Sequence, residues 1–152
     1  MRNIWKRWRH RTAKAATFDV DDWGLLVEAV ATLLLVQIAL RVVHFPRLLA
    51  WARRVSRPAD FCPPEHVART AWFVDAGGRL IGLRCLTQSL ALARLLARRG
   101  IETDVRIGIR TDGGRLLAHA WVEWTGRTLN DRPANVQRFS AFSRLAGEMP
   151  HV

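Results

Sequence analysis

Cysteine is scarce in this chain, which has only two, Cys62 and Cys85. Two thiols do not make a disulfide-dense secreted scaffold, and one histidine four residues after Cys62, His66, does not complete the paired spacing of a structural zinc module. Acidic residues are also few, 13 against 24 Lys and Arg, for a formal net charge of +11. That balance attracts nucleic acid, anionic lipid or an acidic peptide without choosing among them. An apolar run at the very start is missing. The first begins at Trp23, behind Asp19, Asp21 and Asp22, so no signal peptide is expected. The expected setting is a reducing cytoplasm with both thiols free. Hydrophobic residues, at 49% of 152, exclude global disorder and suffice for a real core.

Three stretches divide the chain. Residues 1–17 are a basic arm, with Arg2, Lys6, Arg7, Arg9, Arg11 and Lys14 around Trp5 and Trp8. Such an arm either touches RNA or a membrane surface, or is a solubilising tail. Residues 18–60 read as helical. Asp21 or Asp22 caps a helix from Trp23 to about Val43 whose centre, LLVEAVATLLLVQIAL, is nearly all apolar. Its length reaches the lower limit of a membrane span. Glu28 inside the run opposes that, because an ionised carboxylate in a bilayer is costly, so burial in protein or at a partner interface is expected. A second helix is expected over residues 46–55.

Residues 61–152 carry the chemistry. Glu65 to Val74 suits a helix that Asp75-Ala-Gly-Gly78 ends. Cys85 heads CLTQSLALARLLARRG, a run of good helix formers stopped at Gly100. Leu86, Leu90, Ala93 and Ala97 share a stripe, widened by Leu92 and Leu96, that packs against something. At a helix start, unsatisfied N–H groups and the dipole favour a thiolate, and Arg84 adds positive charge. The period then becomes two: Val105, Ile107 and Ile109 alternate with polar residues, Asp112-Gly113-Gly114 turns the chain, and Leu116 to Trp124 returns. Thr125-Gly126 turns it again into Arg127 to Asp131, giving three antiparallel strands, followed by a tail that is irregular or helical around Phe139 to Leu145.

His119 lies on a strand face with Leu117, Trp121 and Glu123. With Trp124 to Gly126 as the loop, Glu123 faces Arg127, Trp121 faces Leu129, and His119 faces Asp131, within about 5 Å. A carboxylate there fixes the imidazole tautomer, as the orienter does in a nucleophile–base–acid triad. A one-residue slip would put Asp131 on the other face. Asn130 becomes the acceptor only if a bulge also changes its face.

A Cys at a helix start, a His in the following hairpin and an Asp one strand later resemble the transglutaminase-like branch of papain-type cysteine enzymes. Within it, CLTQSLALARLLARRGI, VRIGIR, AHAWVEW, GRTLND and the upstream VVHFPRLLAW are similar to the B proteins of lasso-peptide biosynthesis, strongly over residues 83–131. The resemblance implies an α+β fold: a papain/transglutaminase-like core, its Cys-bearing helix packed on an antiparallel sheet, with an N-terminal helical extension. It implies a leader peptidase with Cys85 as nucleophile, His119 as base and Asp131 as orienter, needing neither metal nor organic cofactor. The implied partners are a precursor peptide and an ATP-dependent lasso cyclase; nucleic acid is not expected. Longer members carry a leader-recognition domain before the protease. The 84 residues before Cys85 read as helices, which resembles the split form, whose recognition protein is separate. The Cys85 N–H is the expected oxyanion donor, Gln88 has no assigned role, and Trp121 lines either a peptide groove or the core behind His119. An acyl transferase on the same triad and a non-catalytic peptide- or nucleic-acid-binding module remain alternatives.

Overall fold

The computed structural model describes residues 19–59 and 63–141; the basic arm and Cys62 lie outside them. The order is α1 (Val20–Val42), α2 (Phe45–Arg53), α3 (Pro64–Leu80), α4 (Cys85–Arg98), β1 (Asp104–Asp112), β2 (Arg115–Trp124), β3 (Arg127–Thr128), α5 (Pro133–Val136) and β4 (Ser140–Ala141). The strands form one antiparallel sheet in the order β3-β2-β1-β4, so the fold is α+β with helices leading.

α1 starts earlier than its apolar run. Asp19, not Asp21 or Asp22, is the N-cap: its carboxylate accepts the Val20 N–H, and Asp22 reaches back to the Asp19 N–H to close a capping box. Asp21 and Asp22 then sit in the first turn, where the dipole favours negative charge. Pro46 opens α2, whose Leu48, Leu49 and Ala52 are buried.

α3 does not stop at Asp75-Ala-Gly-Gly78 but continues to Leu80. Gly77 and Gly78 are buried and serve close approach, not termination. A Cβ on Gly77 would lie 3.3 Å from Leu33 of α1, and one on Gly78 would lie 2.7 Å from the Gln88 side chain of α4. Tertiary contact outweighs the roughly 1 kcal/mol that each glycine costs a helix.

α4 is the centre of the molecule. The expected apolar stripe is a minimum: Thr87, Ser89 to Ala93 and Leu95 to Ala97 are all buried, so nearly every side of the helix is covered. α1, α2 and α3 pack on it, and the hairpin covers the remaining side through Val122. It ends in a Schellman motif. The Ile101 N–H bonds the Leu96 carbonyl (3.0 Å), the Gly100 N–H bonds the Ala97 carbonyl (3.1 Å), and Gly100 takes φ +79°. The Gly100 carbonyl accepts the Ala59 N–H at 3.0 Å, anchoring the chain that follows α2.

The β1–β2 hairpin has the expected two-residue turn, Gly113 and Gly114 both at positive φ. The sheet has four strands rather than three, because Ser140 and Ala141 return to pair with Ile109 and Gly108 of β1. Within the tail, α5 covers Pro133–Val136, ahead of the expected stretch from Phe139 to Leu145, of which residues 142–145 lie outside the described residues. Leu95→Ala should therefore lower unfolding free energy by about 2–5 kcal/mol. Leu116→Ala, at a side chain that is 68% exposed, should change it by less than about 0.5 kcal/mol. Urea denaturation of both variants followed by circular dichroism is the measurement.

Candidate active site

Cys85 is the first residue of α4, half-buried, behind Arg84 as N-cap. The N–H groups of the first turn have no acceptor inside the helix and leave a partial positive charge at the end where Cys85 sits. The approach to Cys85 is held at both ends. The Leu83 N–H bonds the Gly78 carbonyl at 2.8 Å, and the Leu83 carbonyl accepts Nε2 of Gln88 at 2.8 Å. Gln88 is thus engaged in setting the turn that delivers Cys85.

His119 and Asp131 meet: Nε2 of His119 lies 2.5 Å from Oδ2 of Asp131. The meeting is not reached through the expected register. Thr125 and Gly126 both take positive φ (47° and 74°), so they close a two-residue turn that pairs Trp124 with Arg127 and Glu123 with Thr128. This register is the one-residue slip, and a continued ladder would put Asp131 opposite Ala120, on the wrong face. The chain instead leaves the ladder. Leu129 donates to the Val122 carbonyl at 2.9 Å, and then the side-chain Oδ1 of Asn130, not a backbone carbonyl, accepts the Val122 N–H at 2.8 Å. With Val122 satisfied, residues 129–131 bend and carry Asp131 to the face of His119. Asn130 is therefore the support of the pair, not its substitute acceptor.

The same amide reaches α4. Nδ2 of Asn130 donates to Oγ of Ser89 at 3.0 Å, and Ser89 is fully buried. Ser89 is one turn after Cys85 on α4, so the segment holding Asp131 is tied to the helix that Cys85 begins.

Other side chains hold the pair. Asp131 Oδ2 also accepts Nδ2 of Asn135 (2.8 Å), and its Oδ1 accepts the Arg132 N–H (2.6 Å). The His119 ring stacks on Trp121 (centroids 6.1 Å apart, 22° between planes) and lies 5.1 Å from Phe139. Trp121 is buried, its indole N–H given to Glu123 at 2.9 Å, so it backs His119 and does not line a groove. Gly108, opposite His119 in the ladder, makes room: a Cβ there would lie 2.9 Å from both Trp121 and Phe139. Because Nε2 faces Asp131, Nδ1 is the nitrogen left for proton transfer. Asn135 and Phe139 carry no motif in the sequence, and the motifs that contain Ser89 and Asn130 do not show the contact between them, which the bend at residues 129–131 makes.

A second carboxylate stands near the first. Burial raises the pKa of Asp75 on α3 above its usual 3.8, and the Asp131 charge adds to that, while Arg79 at 2.7 Å opposes both. Among the described residues, no cluster of three or more His, Cys, Asp and Glu side chains is placed to hold a metal. A cleft of about 710 Å³ between α2 and the far end of the hairpin, lined by Leu49, Arg53, Asp104 and Glu123 among others, contains none of Cys85, His119 and Asp131.

The family model described as the transglutaminase-like superfamily matches residues 8–144. The chain belongs to that superfamily. Its transglutaminase-like sequence is also similar to the microcin J25-processing protein McjB of Escherichia coli, 38% identical over 61 residues. That match covers 40% of this chain and 28% of McjB, so it spans under a third of the relative's length. No solved structure matches.

Two measurements test this transglutaminase-like site. Asn130→Ala leaves the Val122 N–H and the Ser89 hydroxyl without partners, and should cost about 1–3 kcal/mol for each buried group in a urea titration. Asp75→Asn should separate from the parent in stability as pH rises. A carboxyl whose folded pKa is raised contributes stability below its unfolded pKa and loses it as pH climbs through the folded value. The variant should therefore match the parent most closely near pH 3 and gain on it towards pH 7, read as thermal midpoints across that range.

Proposed function

We propose that this chain is a cysteine peptidase that removes the leader from a ribosomally made lasso precursor peptide. The observation that carries the reading is the His119–Asp131 contact, made by a segment that Asn130 ties to the helix headed by Cys85. The similarity to a protein whose name states that it processes microcin J25 supports the substrate class.

In this mechanism Nδ1 of His119 takes the thiol proton, and the Cys85 thiolate attacks the carbonyl of the last leader residue. The tetrahedral oxyanion is held by the Cys85 N–H at the helix start. His119 then protonates the departing amine, which becomes the new N-terminus of the core peptide. Water, with His119 as base, hydrolyses the acyl-enzyme and frees the leader. Asp131 holds the ring with Nε2 inward and stabilises the imidazolium in both halves. The chemistry draws on these side chains and no cofactor. The reaction belongs in the cytoplasm, where a separate leader-recognition protein presents the precursor and an ATP-dependent cyclase takes the freed amine.

The test is a mass-spectrometric cleavage assay on precursor with the recognition protein present. Cys85→Ala and His119→Ala should lose cleavage by at least about a thousandfold with the fold intact. Cys62→Ala should cleave at close to the parent rate. Cleavage retained in Cys85→Ala and lost in Cys62→Ala would overturn the assignment.

A further inference from the structure

The peptidase reading leaves α1 unexplained. This helix is long and apolar enough to cross a membrane by length and composition, yet only 22% of its most apolar stretch is buried. Its two sides differ in kind. The inner side carries the polar groups and gives them to the protein: Glu28 pairs with Arg98 (3.3 Å) and Arg99 (2.5 Å) of α4, and Gln37 accepts the Thr87 hydroxyl at 2.8 Å. Thr32 is buried there with Ala29, Leu33 and Val36. The outer side presents Trp23, Val27, Leu34, Leu35, Ile38 and Val42, between 47% and 76% exposed. They recur at helical spacing over the length of α1 and make one continuous apolar face.

Glu28 is thereby reconciled with the apolar run around it. It lies on the side turned to α4, so it does not oppose contact of the outer face with lipid, while the packing of the inner side on α3 and α4 rules out a transmembrane orientation. An apolar face of this length on a chain of charge +11 has three candidate coverings: a second copy, a partner protein or an anionic surface. Two copies would bring like charge together, whereas an anionic surface is complementary. Arg41 and Arg47, both exposed, flank the C-terminal end of the face. At the other end, the chain leading into α1 carries the basic arm with Trp5 and Trp8, residues suited to a headgroup layer. Of the aspartates at that end, Asp19 and Asp22 are engaged in the capping box, and Asp22 is paired with Arg69 as well.

We propose that α1 is a monotopic membrane-docking helix, lying in the plane of an anionic bilayer with its outer face in the acyl boundary and α4 held above it. The inference is independent of the peptidase reading: cleavage can be lost with docking intact, and docking with cleavage intact.

The experiment is vesicle flotation of the full chain. With vesicles of phosphatidylcholine containing about a quarter phosphatidylglycerol, the chain should float, and with phosphatidylcholine alone binding should fall by about tenfold or more. The double variant Leu34→Glu, Ile38→Glu should lose flotation, with its far-UV circular dichroism unchanged because both side chains already face outward. If the glutamates disturb folding, Leu34→Gln with Ile38→Gln should give the same loss. Failure of the parent to float, or flotation that survives either double variant, would overturn the proposal. So would a dimer, seen by light scattering, that the variant dissolves while the parent ignores vesicles. A recognition protein that covers the face and leaves no vesicle binding would overturn it too.

Discussion

A side-chain amide stands in for backbone at the edge of this sheet, and the candidate site depends on that substitution. A strand that leaves its ladder exposes the neighbour's N–H, and a buried N–H without a partner costs about 1–3 kcal/mol. Asn130 supplies the missing carbonyl from its side chain, so the backbone is free to turn while Val122 stays bonded. The other end of the same amide goes to Ser89, inside the helix that begins with Cys85. One residue thus sets the path of the chain and joins the His119–Asp131 pair to the helix that Cys85 begins. An aspartate there could accept from Val122 but would have no N–H to give Ser89, and a glutamine would put its amide one methylene further out.

Around that joint the molecule is built in shells. α4 forms the axis, with buried side chains on nearly every side, and three helices and a hairpin cover it. The glycine pair of α3 lets two of these helices approach closely enough for Gln88 to reach the Leu83 carbonyl, which fixes the entry to Cys85. On the other side of the sheet, Gly108 clears a space for Trp121 and Phe139, and their rings limit how far the His119 imidazole can rotate. Small residues give room and large ones use it.

Much of this was legible in the sequence. The Cys85 helix, the Gly113-Gly114 hairpin and the alternation of β1 and β2 all follow from local rules of period and turn chemistry. The loop at Thr125-Gly126 was expected one residue too long, because threonine at positive φ is uncommon and only the closed turn shows it. That error should have separated His119 from Asp131, and the bend at residues 129–131 brought them back together. The run through Gly77 and Gly78 was hidden for a related reason. Glycine ends a helix when it takes φ > 0 and continues one when neighbours press against it, and the neighbours lie 44 or more positions earlier (Leu33) or ten later (Gln88). β4 and the roles of Asn135 and Phe139 depend on where the tail lands, which no local pattern encodes.

The order of these elements along the chain has a kinetic consequence. Cys85 precedes Asp131 by 46 positions (131 − 85). At the roughly 5–20 residues per second of chain synthesis, about 2–9 s pass between the emergence of Cys85 and that of Asp131. The hairpin emerges within that interval and the Asn130 latch only at its end, so the sheet-facing side of the axial helix waits for both. A chain stalled before Asn130 therefore has the axial helix and the hairpin but not the amide that ties them together.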